Sequence, residues 1–173
     1  MAEATKFNLT NNQKAERKLL VTAVNVGTSD SPVWQVVGAG VEDSSIEYNP
    51  DTETVTDILG ITETNVNKLE TSQSLDPMTV RGGSELAVKL YNQIKYQKLS
   101  ELSMYDVLLI HAYVGADGAY EAEKHANCTI VPQSVGGSSY VDMPIDIQFS
   151  NDKTHGTVDN YKAGSTITFT ETA

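Results

Sequence analysis

The sequence predicts a mainly β fold: an antiparallel β-sandwich or small barrel with one flanking α-helix and a long extended loop between early strands. Stretches rich in β-branched residues recur along the chain and are bounded by Gly, Pro and Asn turn signals. A single stretch, at about residues 84–98, has convincing helical spacing. The length of 173 residues suits one domain. We place that domain at residues 18–173, behind a flexible polar N-terminal arm at residues 1–17.

Two strands are predicted early in the chain, followed by an acidic segment. "LLVTAVNV" at residues 19–26 is one strand, and "VWQVVGAGV" at residues 33–41 is another, weakened by its two glycines. The "NPD" turn signal at residues 49–51 argues against one unbroken strand through the acidic segment. We therefore expect a strand, then an extended loop or hairpin to about Asn67, then another strand near residues 67–75.

The predicted helix has an N-cap and charges that suit its dipole. Ser84 can cap the first turn, which contains Glu85, and Lys95 and Lys98 lie in the last turn. One face recurs at helical spacing, and we expect it to pack on the core. That face contains Ala87, Leu90, Tyr91, Ile94 and Lys98.

The C-terminal half alternates in the manner of half-buried strands. In "DVLLIHAYV" the even positions from Leu108 to Val114 are apolar. In "YVDMPIDIQF" the odd positions from Val141 to Phe149 are predicted to face the core. Pro144 cannot donate a backbone hydrogen bond, so this strand is expected to lie at an edge or to bulge there. "GSTITFTET" is predicted to be the closing strand.

The charge of the chain is strongly negative and unevenly distributed. The formal net charge is −11, from 23 acidic and 12 basic residues. Residues 41–85 alone carry ten acids against Lys68 and Arg81, a net −8. A protein that binds nucleic acid tightly usually carries a positive net charge, because phosphate binding needs Lys and Arg. The acids either form a solvated face that aids solubility or a surface that avoids adhesion to a polyanion.

The residue types that usually act in catalysis or metal binding form no recognisable catalytic or metal-binding motif in this sequence. His111, His125 and His155 are separated, and the single cysteine, Cys128, has only His125 nearby in sequence. Closed zinc sites need four ligands, so we predict no metal. The Gly-rich stretches lack the Lys-Ser/Thr of a phosphate-binding loop, so we predict no cofactor. The sequence gives no positive case for an enzyme.

The sequence also bears on where the chain is made. One cysteine excludes an intrachain disulfide, which fits synthesis in a reducing cytoplasm. The N-terminus lacks the apolar core of a secretory signal, and no apolar run is long enough to span a bilayer. We therefore expect no membrane anchor.

The order of these features resembles the major tail tube protein of long-tailed, non-contractile bacteriophages. The motifs that carry the resemblance are "WQVVGAGVEDSSIEYNPDTETVTDI", "KLETSQSLDP" and "RGGSELAVKLYNQIK", followed by a late β half. The resemblance covers about residues 18–170. It implies hexameric rings that stack into a tube around a tape-measure protein, between a tail-tip initiator and a tail terminator protein. Double-stranded DNA would pass through the lumen without specific binding, in a virion tail assembled in the host cytoplasm.

The resemblance also implies roles for the acidic segment. A lumen lined by carboxylates would repel DNA, whereas basic residues would bind its phosphates. The candidate lumen-lining acids are Asp43, Glu47, Asp51, Glu53, Asp57, Glu63, Asp142 and Asp146. The long loop would contact the neighbouring ring, and its candidate residues are Asn49, Pro50, Thr52, Thr54, Ile58, Ile61, Thr64 and Asn67.

Two alternatives remain open on the sequence. One is the inner tube of a contractile tail or injection device. The other is a carbohydrate-binding β-sandwich, which would use exposed aromatic residues such as Trp34 or some of the eight tyrosines.

Overall fold

The computed structural model of the protein describes residues 6–172. Residues 1–5 of the predicted N-terminal arm, and the last residue, lie outside the described part. The described elements include one α-helix, α1 (Glu85–Lys95), and two short 3-10 helices, Arg17–Leu19 and Leu99–Ser103. The strands are β1 (Leu20–Asn25), β2 (Trp34–Val37), β3 (Ile46–Glu47), β4 (Pro50–Thr56), β5 (Thr62–Leu69), β6 (Ser72–Leu75), β7 (Tyr105–Ala116), β8 (Ala119–Pro132), β9 (Ile145–Gln148), β10 (Lys153–Val158) and β11 (Phe169–Glu171).

Nine of the described strands form one curled antiparallel sheet, in which seven follow the order β2-β1-β7-β8-β9-β6-β3, β10 pairs with β8, and β11 pairs with β10. Strands β4 and β5 form a separate two-stranded sheet. This arrangement confirms the predicted mainly antiparallel β class. The long strand β8 connects two layers. Its first part pairs with β7 and β10, and its last part, from Thr129, pairs with β9. Between them Asn127 has a positive φ of 57°. Strands that bend at such irregularities form the corners of β-sandwiches.

The core has two parts, one on each side of the β1–β7–β8 layer. The larger cluster lies between the two layers and α1, and it includes Leu90, Val107, Ile130 and Ile147. The smaller cluster lies on the opposite face and is covered by the segment that precedes β11; it includes Trp34, Leu108, Ile110, Val158 and Ile167. The body is therefore buried on both faces of its central strands.

The helix begins as predicted but presents a different face to the core. The Ser84 hydroxyl accepts a hydrogen bond from the Ala87 N–H, and α1 ends at Lys95, before Lys98. Leu86, Ala87, Leu90 and Gln93 are buried, whereas Tyr91 and Ile94 are exposed, which corrects the predicted face. The buried hydroxyl of Tyr105 donates to Gln93 Oε1 at 2.6 Å. That bond holds the polar Gln93 inward, so its neighbours Tyr91 and Ile94 point outward.

The predicted strand at residues 140–149 is shorter than expected and lies elsewhere in the sheet. Strand β9 begins after Pro144 and lies between β8 and β6, so the predicted edge or bulge at Pro144 is wrong. The Pro144 carbonyl instead accepts from the Gln133 N–H at 2.8 Å. Met143, Ile145, Ile147 and Phe149 are buried as predicted, but Val141 is exposed.

Several other elements differ from the predicted bounds. Strands β8 and β10 were not predicted individually, and the strand expected at residues 33–41 is limited to Trp34–Val37. The closing strand covers only Phe169–Glu171. Within the N-terminal arm, Phe7 forms a β-bridge with Val114, and the Asn8 N–H donates to the Tyr113 carbonyl at 2.9 Å.

Candidate functional site: a projecting hairpin and two surface grooves

Strands β4 and β5 form a hairpin that pairs with no other strand of the described chain. Every residue of both strands is exposed. The hairpin is attached at Asn49, whose positive φ of 44° turns the chain out of β3. The Asn49 side-chain amide donates to the Glu70 carbonyl and to the Ser72 hydroxyl, each at 3.0 Å. The segment to about Asn67, for which the sequence predicts either an extended loop or a hairpin, is thus an ordered antiparallel hairpin.

The two faces of the hairpin differ in chemistry, because residues directly opposite each other share a face. On one face threonines pair across the strands: the hydroxyls of Thr54 and Thr64 are 3.0 Å apart, and those of Thr56 and Thr62 are 3.1 Å apart. The other face is mainly acidic. It contains Asp51, Glu53, Val55, Glu63, Asn65 and Lys68. Of the candidate lumen acids, Asp51, Glu53 and Glu63 therefore lie on the hairpin.

The tip of the hairpin is apolar and is built around Asp57. The Asp57 carboxylate accepts from the N–H groups of Leu59 and Ile61 at 2.8 and 2.9 Å. These bonds hold a tight turn that exposes its aliphatic side chains. Ile58 is 102% exposed, Leu59 78% and Ile61 54%. Among the candidate lumen acids, Asp57 therefore has a visible role in shaping the turn.

A second cluster of acids lines an open groove on the outer face of strands β3, β6 and β9. Asp43, Glu47 and Asp146 line this groove, which has a volume of about 430 Å³, and Asp76 joins them. The strand register explains the clustering, because Glu47 pairs with Ser72 and Asp146 pairs with Ser74. The alternate residues of β6 and β9 face the core. This acidic groove brings three predicted lumen candidates together.

The last of the predicted acids, Asp142, lies apart from this groove. It accepts a hydrogen bond from the Thr79 hydroxyl at 2.8 Å and forms backbone bridges with Thr79 and Gly136. It is partly buried. Its contacts tie the connection before β9 to the segment before α1.

A third feature is an apolar groove between α1 and the segment that follows β8. It has a volume of about 510 Å³ and is lined by Tyr91, Ile94, Lys95, Pro132, Val135 and Met143, among others. The Lys95 ammonium lies 5.8 Å from the ring centre of Tyr91 and 5.3 Å from that of Tyr96. The groove thus has an apolar floor and one cationic residue beside it.

A strongly perturbed titratable group lies in the body, at Glu123 on β8. His111 and His125 face its carboxylate, with nitrogen–oxygen distances of 3.9 and 3.6 Å, and the Lys153 ammonium lies 3.0 Å away. These neighbours hold the pKa of Glu123 far below its ordinary value, against the opposing effect of burial. Only the Lys153 contact has hydrogen-bond length. The cluster joins β7, β8 and β10.

The remaining candidates for chemistry offer little reactivity. Cys128 is buried, and burial raises the pKa of its thiol to about 11, so the reactive thiolate is scarce at neutral pH. Within residues 6–172 no three His, Cys, Asp or Glu side chains are arranged to hold a metal ion. The helical segments of that same range include none with the length and apolar character needed to cross a bilayer.

Comparison with known proteins identifies the fold. No family model matches the chain, and no curated protein matches its sequence. Among solved structures, the chain is similar to the cryo-EM structure of the sheath/tube terminator of the extracellular contractile injection system PVC. The TM-score is 0.50 at 14% identity, over 84% of this chain and 99% of that chain. This chain therefore shares the fold of that sheath/tube terminator.

Two further structures match with slightly lower scores. The tube-terminating cap of the anti-feeding prophage has a TM-score of 0.49 at 15% identity, over 87% of this chain and 95% of that chain. The PVC sheath–tube complex in the extended state has a TM-score of 0.48 at 14% identity, over 86% and 95%.

Sequence reasoning missed three features of these surfaces. Asp76 was not among the candidate acids, although Ser72, Ser74 and Asp76 share the parity that places them on one face of extended chain. The apolar groove was missed because it needs α1 and the segment after β8 to pack side by side. Leu59 was also left out, although it lies between two predicted contact residues.

Proposed function

We propose that this chain is the tube subunit of a phage tail or phage-tail-like particle. The fold shared with the PVC sheath/tube terminator over 84% of the chain is the observation that carries this proposal. The sequence resemblance to tail tube proteins supports it independently. The subunits form hexameric rings that stack into a hollow tube, in the particle's tail, after synthesis in the host cytoplasm. A tape-measure protein, a tip initiator and a terminator protein are the further partners.

The acidic groove is the part of the surface that we assign to the lumen. Asp43, Glu47, Asp76 and Asp146 cluster on one outer sheet face, and small polar residues separate them. The lining of this groove is negative and contains neither Lys nor Arg among its described residues, so it repels DNA phosphates. The hairpin acids Asp51, Glu53 and Glu63 are assigned to contacts between subunits, since the hairpin projects from the body.

Two versions of this function differ in the type of tail, which is either non-contractile or contractile. The sequence resembles the non-contractile tail tubes, whereas the PVC terminator belongs to a contractile injection system. That structural likeness favours a contractile device as the second candidate. A pull-down from the native particle tests for a sheath protein bound along the outer surface of the tube. Recovery of such a sheath protein would support the contractile version.

The first experiment is to purify the chain and follow its size with concentration by sedimentation velocity, with negative-stain electron microscopy of the same samples. Rings or hollow tubes are the expected result. A chain that stays monomeric even when seeded with native tail tips would contradict the proposal.

The lumen assignment has its own test. Glu47→Lys with Asp146→Lys should slow DNA ejection from assembled tails. The matched control of equal charge is Asp30→Lys with Asp152→Lys, two exposed acids outside both the groove and the hairpin. Equal ejection kinetics for wild type and the Glu47/Asp146 variant would contradict it.

A further inference from the structure

A small cleft opens between β7 and the segment that contains β3. It has a volume of about 290 Å³, and Leu20, Ile46 and Leu109 form the apolar part of its lining. Sites for small molecules begin at about 300 Å³, so the cleft has room for one small ligand. We call it the Tyr48 cleft, after the exposed tyrosine that lines it. The acids of the acidic groove are absent from its described lining, so its chemistry is different.

Two tyrosines with different surroundings line the Tyr48 cleft. Tyr113 is held on β7, because its ring centre lies 5.6 Å from those of Phe7 and His111, and its hydroxyl is 3.0 Å from His111 Nδ1. Burial raises the pKa of Tyr113, and the neighbouring Tyr48 and Glu123 raise it further. Tyr48 is 59% exposed, so its ring is accessible to a ligand. The cleft thus combines a fixed aromatic residue with an accessible aromatic ring.

The polar groups of the cleft include donors and acceptors, and their charges cancel. The Arg17 guanidinium donates to the carbonyls of Leu20 and Ser44 at 2.6 and 3.0 Å, which fixes it and leaves further N–H groups for a ligand. Glu123 Oε2 lies 3.6 and 3.9 Å from the two nearest imidazole nitrogens, longer than hydrogen bonds, so it can accept from a ligand. With its histidine neutral, the lining carries one positive and one negative charge. It therefore favours a neutral ligand whose hydroxyl groups both donate and accept over an ion of either sign.

We propose that the Tyr48 cleft binds a single neutral sugar unit. The apolar face of the sugar ring packs on the accessible ring of Tyr48. The sugar hydroxyls accept from Arg17 and donate to Glu123, which is ionised at neutral pH because its neighbours hold its pKa far below the ordinary value. Trp34, which the sequence offered for carbohydrate binding, is only 7% exposed and belongs to the smaller core cluster. The proposal is independent of the tube function, which requires no small ligand in this cleft.

Binding is tested by NMR titration of the full-length chain with glucose, galactose and N-acetylglucosamine, each added separately. Glycerol, which has hydroxyl groups but no ring, is the control ligand. We expect saturable shifts of the Tyr48 and Tyr113 ring resonances with at least one sugar, with a Kd on the order of 1 mM, because so small a ligand makes few contacts. Glycerol should cause no saturable shift. The absence of saturable shifts with all three sugars, or equal shifts with glycerol, would overturn the proposal.

Variants of two exposed tyrosines locate the site. Tyr48→Ala removes the accessible ring and should weaken sugar binding at least about tenfold, whereas Tyr48→Phe retains the ring and should bind within about threefold of wild type. Tyr140→Ala is the matched control, because Tyr140 is 76% exposed and lies outside the cleft, and its affinity should equal that of wild type. Both side chains are exposed, so these variants should fold. Equal affinities of Tyr48→Ala and Tyr140→Ala for the sugar would overturn the proposal.

Discussion

The sandwich body and the hairpin are both antiparallel β-structure, but their side chains have different surroundings. In the body, β1, β7 and β8 have buried clusters on both faces of their layer. In the hairpin, all of Pro50–Thr56 and Thr62–Leu69 are exposed, and the pairing is confined to two strands. Backbone hydrogen bonds alone contribute little net stability, whereas apolar burial contributes most of it. The body therefore holds the fold, and the hairpin is available for a partner.

The largest expected effect comes from a cavity in the body. Ile147 is fully buried, so Ile147→Ala should lower the free energy of unfolding by about 2–5 kcal/mol. Val55 on the hairpin is 50% exposed, and Val55→Ala should change it by less than about 0.5 kcal/mol. Urea denaturation measures both variants. Similar losses of unfolding free energy for Ile147→Ala and Val55→Ala would contradict the difference between body and hairpin.

The Glu123 cluster should give the next largest effect. Glu123→Gln removes the charge held by Lys153 and faced by two imidazoles, and we expect a loss of about 1–2 kcal/mol after allowance for partial solvent screening. Glu101→Gln, in the exposed pair with Lys98, is the control and should cost less than about 0.5 kcal/mol.

The same variant has a predicted pH dependence. The pKa of Glu123 is lowered in the folded chain, so its stabilisation is fully present above the unfolded value of about 4.3 and is lost as the pH falls through the folded pKa. The difference in stability between wild type and Glu123→Gln should therefore shrink as the pH falls below about 4.3. A difference that stays constant down to about pH 2 would contradict this account.

A smaller and local effect is expected at the hairpin turn. Asp57→Ala removes the acceptor of two backbone N–H groups, each worth about 0.5–1.5 kcal/mol. Amide hydrogen exchange across residues 50–69 should accelerate, while the unfolding transition of the body stays unchanged. Asp57→Asn retains an acceptor oxygen and serves as the control. Destabilisation of the whole domain by Asp57→Ala would show that the hairpin is coupled to the body.

The smallest effect is expected at the tip itself. Leu59→Ser in the free subunit should leave the unfolding free energy within about 0.3 kcal/mol of wild type, because the side chain is 78% exposed. Thermal denaturation at low concentration measures it. A clear loss of stability in the monomer would mean that the tip packs against its own chain.

Local sequence signals determined the class of the fold and several of its details. The Ser84 cap, the alternation at Ile145 and Ile147, and the turn at residues 49–51 all act within a few residues, so they can be recognised without the fold. The strongly negative charge of the segment from Val41 to Glu85 was likewise evident from composition. The acids on β4 share a face because side chains of extended chain alternate.

Only the tertiary structure decided which surfaces those elements share. The buried face of α1 depends on the contact between Gln93 and Tyr105, and the acidic groove depends on the register that brings Asp146 beside Ser74. The passage of β8 between two layers and the isolation of the hairpin likewise follow from pairings between distant segments. Such pairings are selected by the packing of the whole chain, which local propensity does not encode.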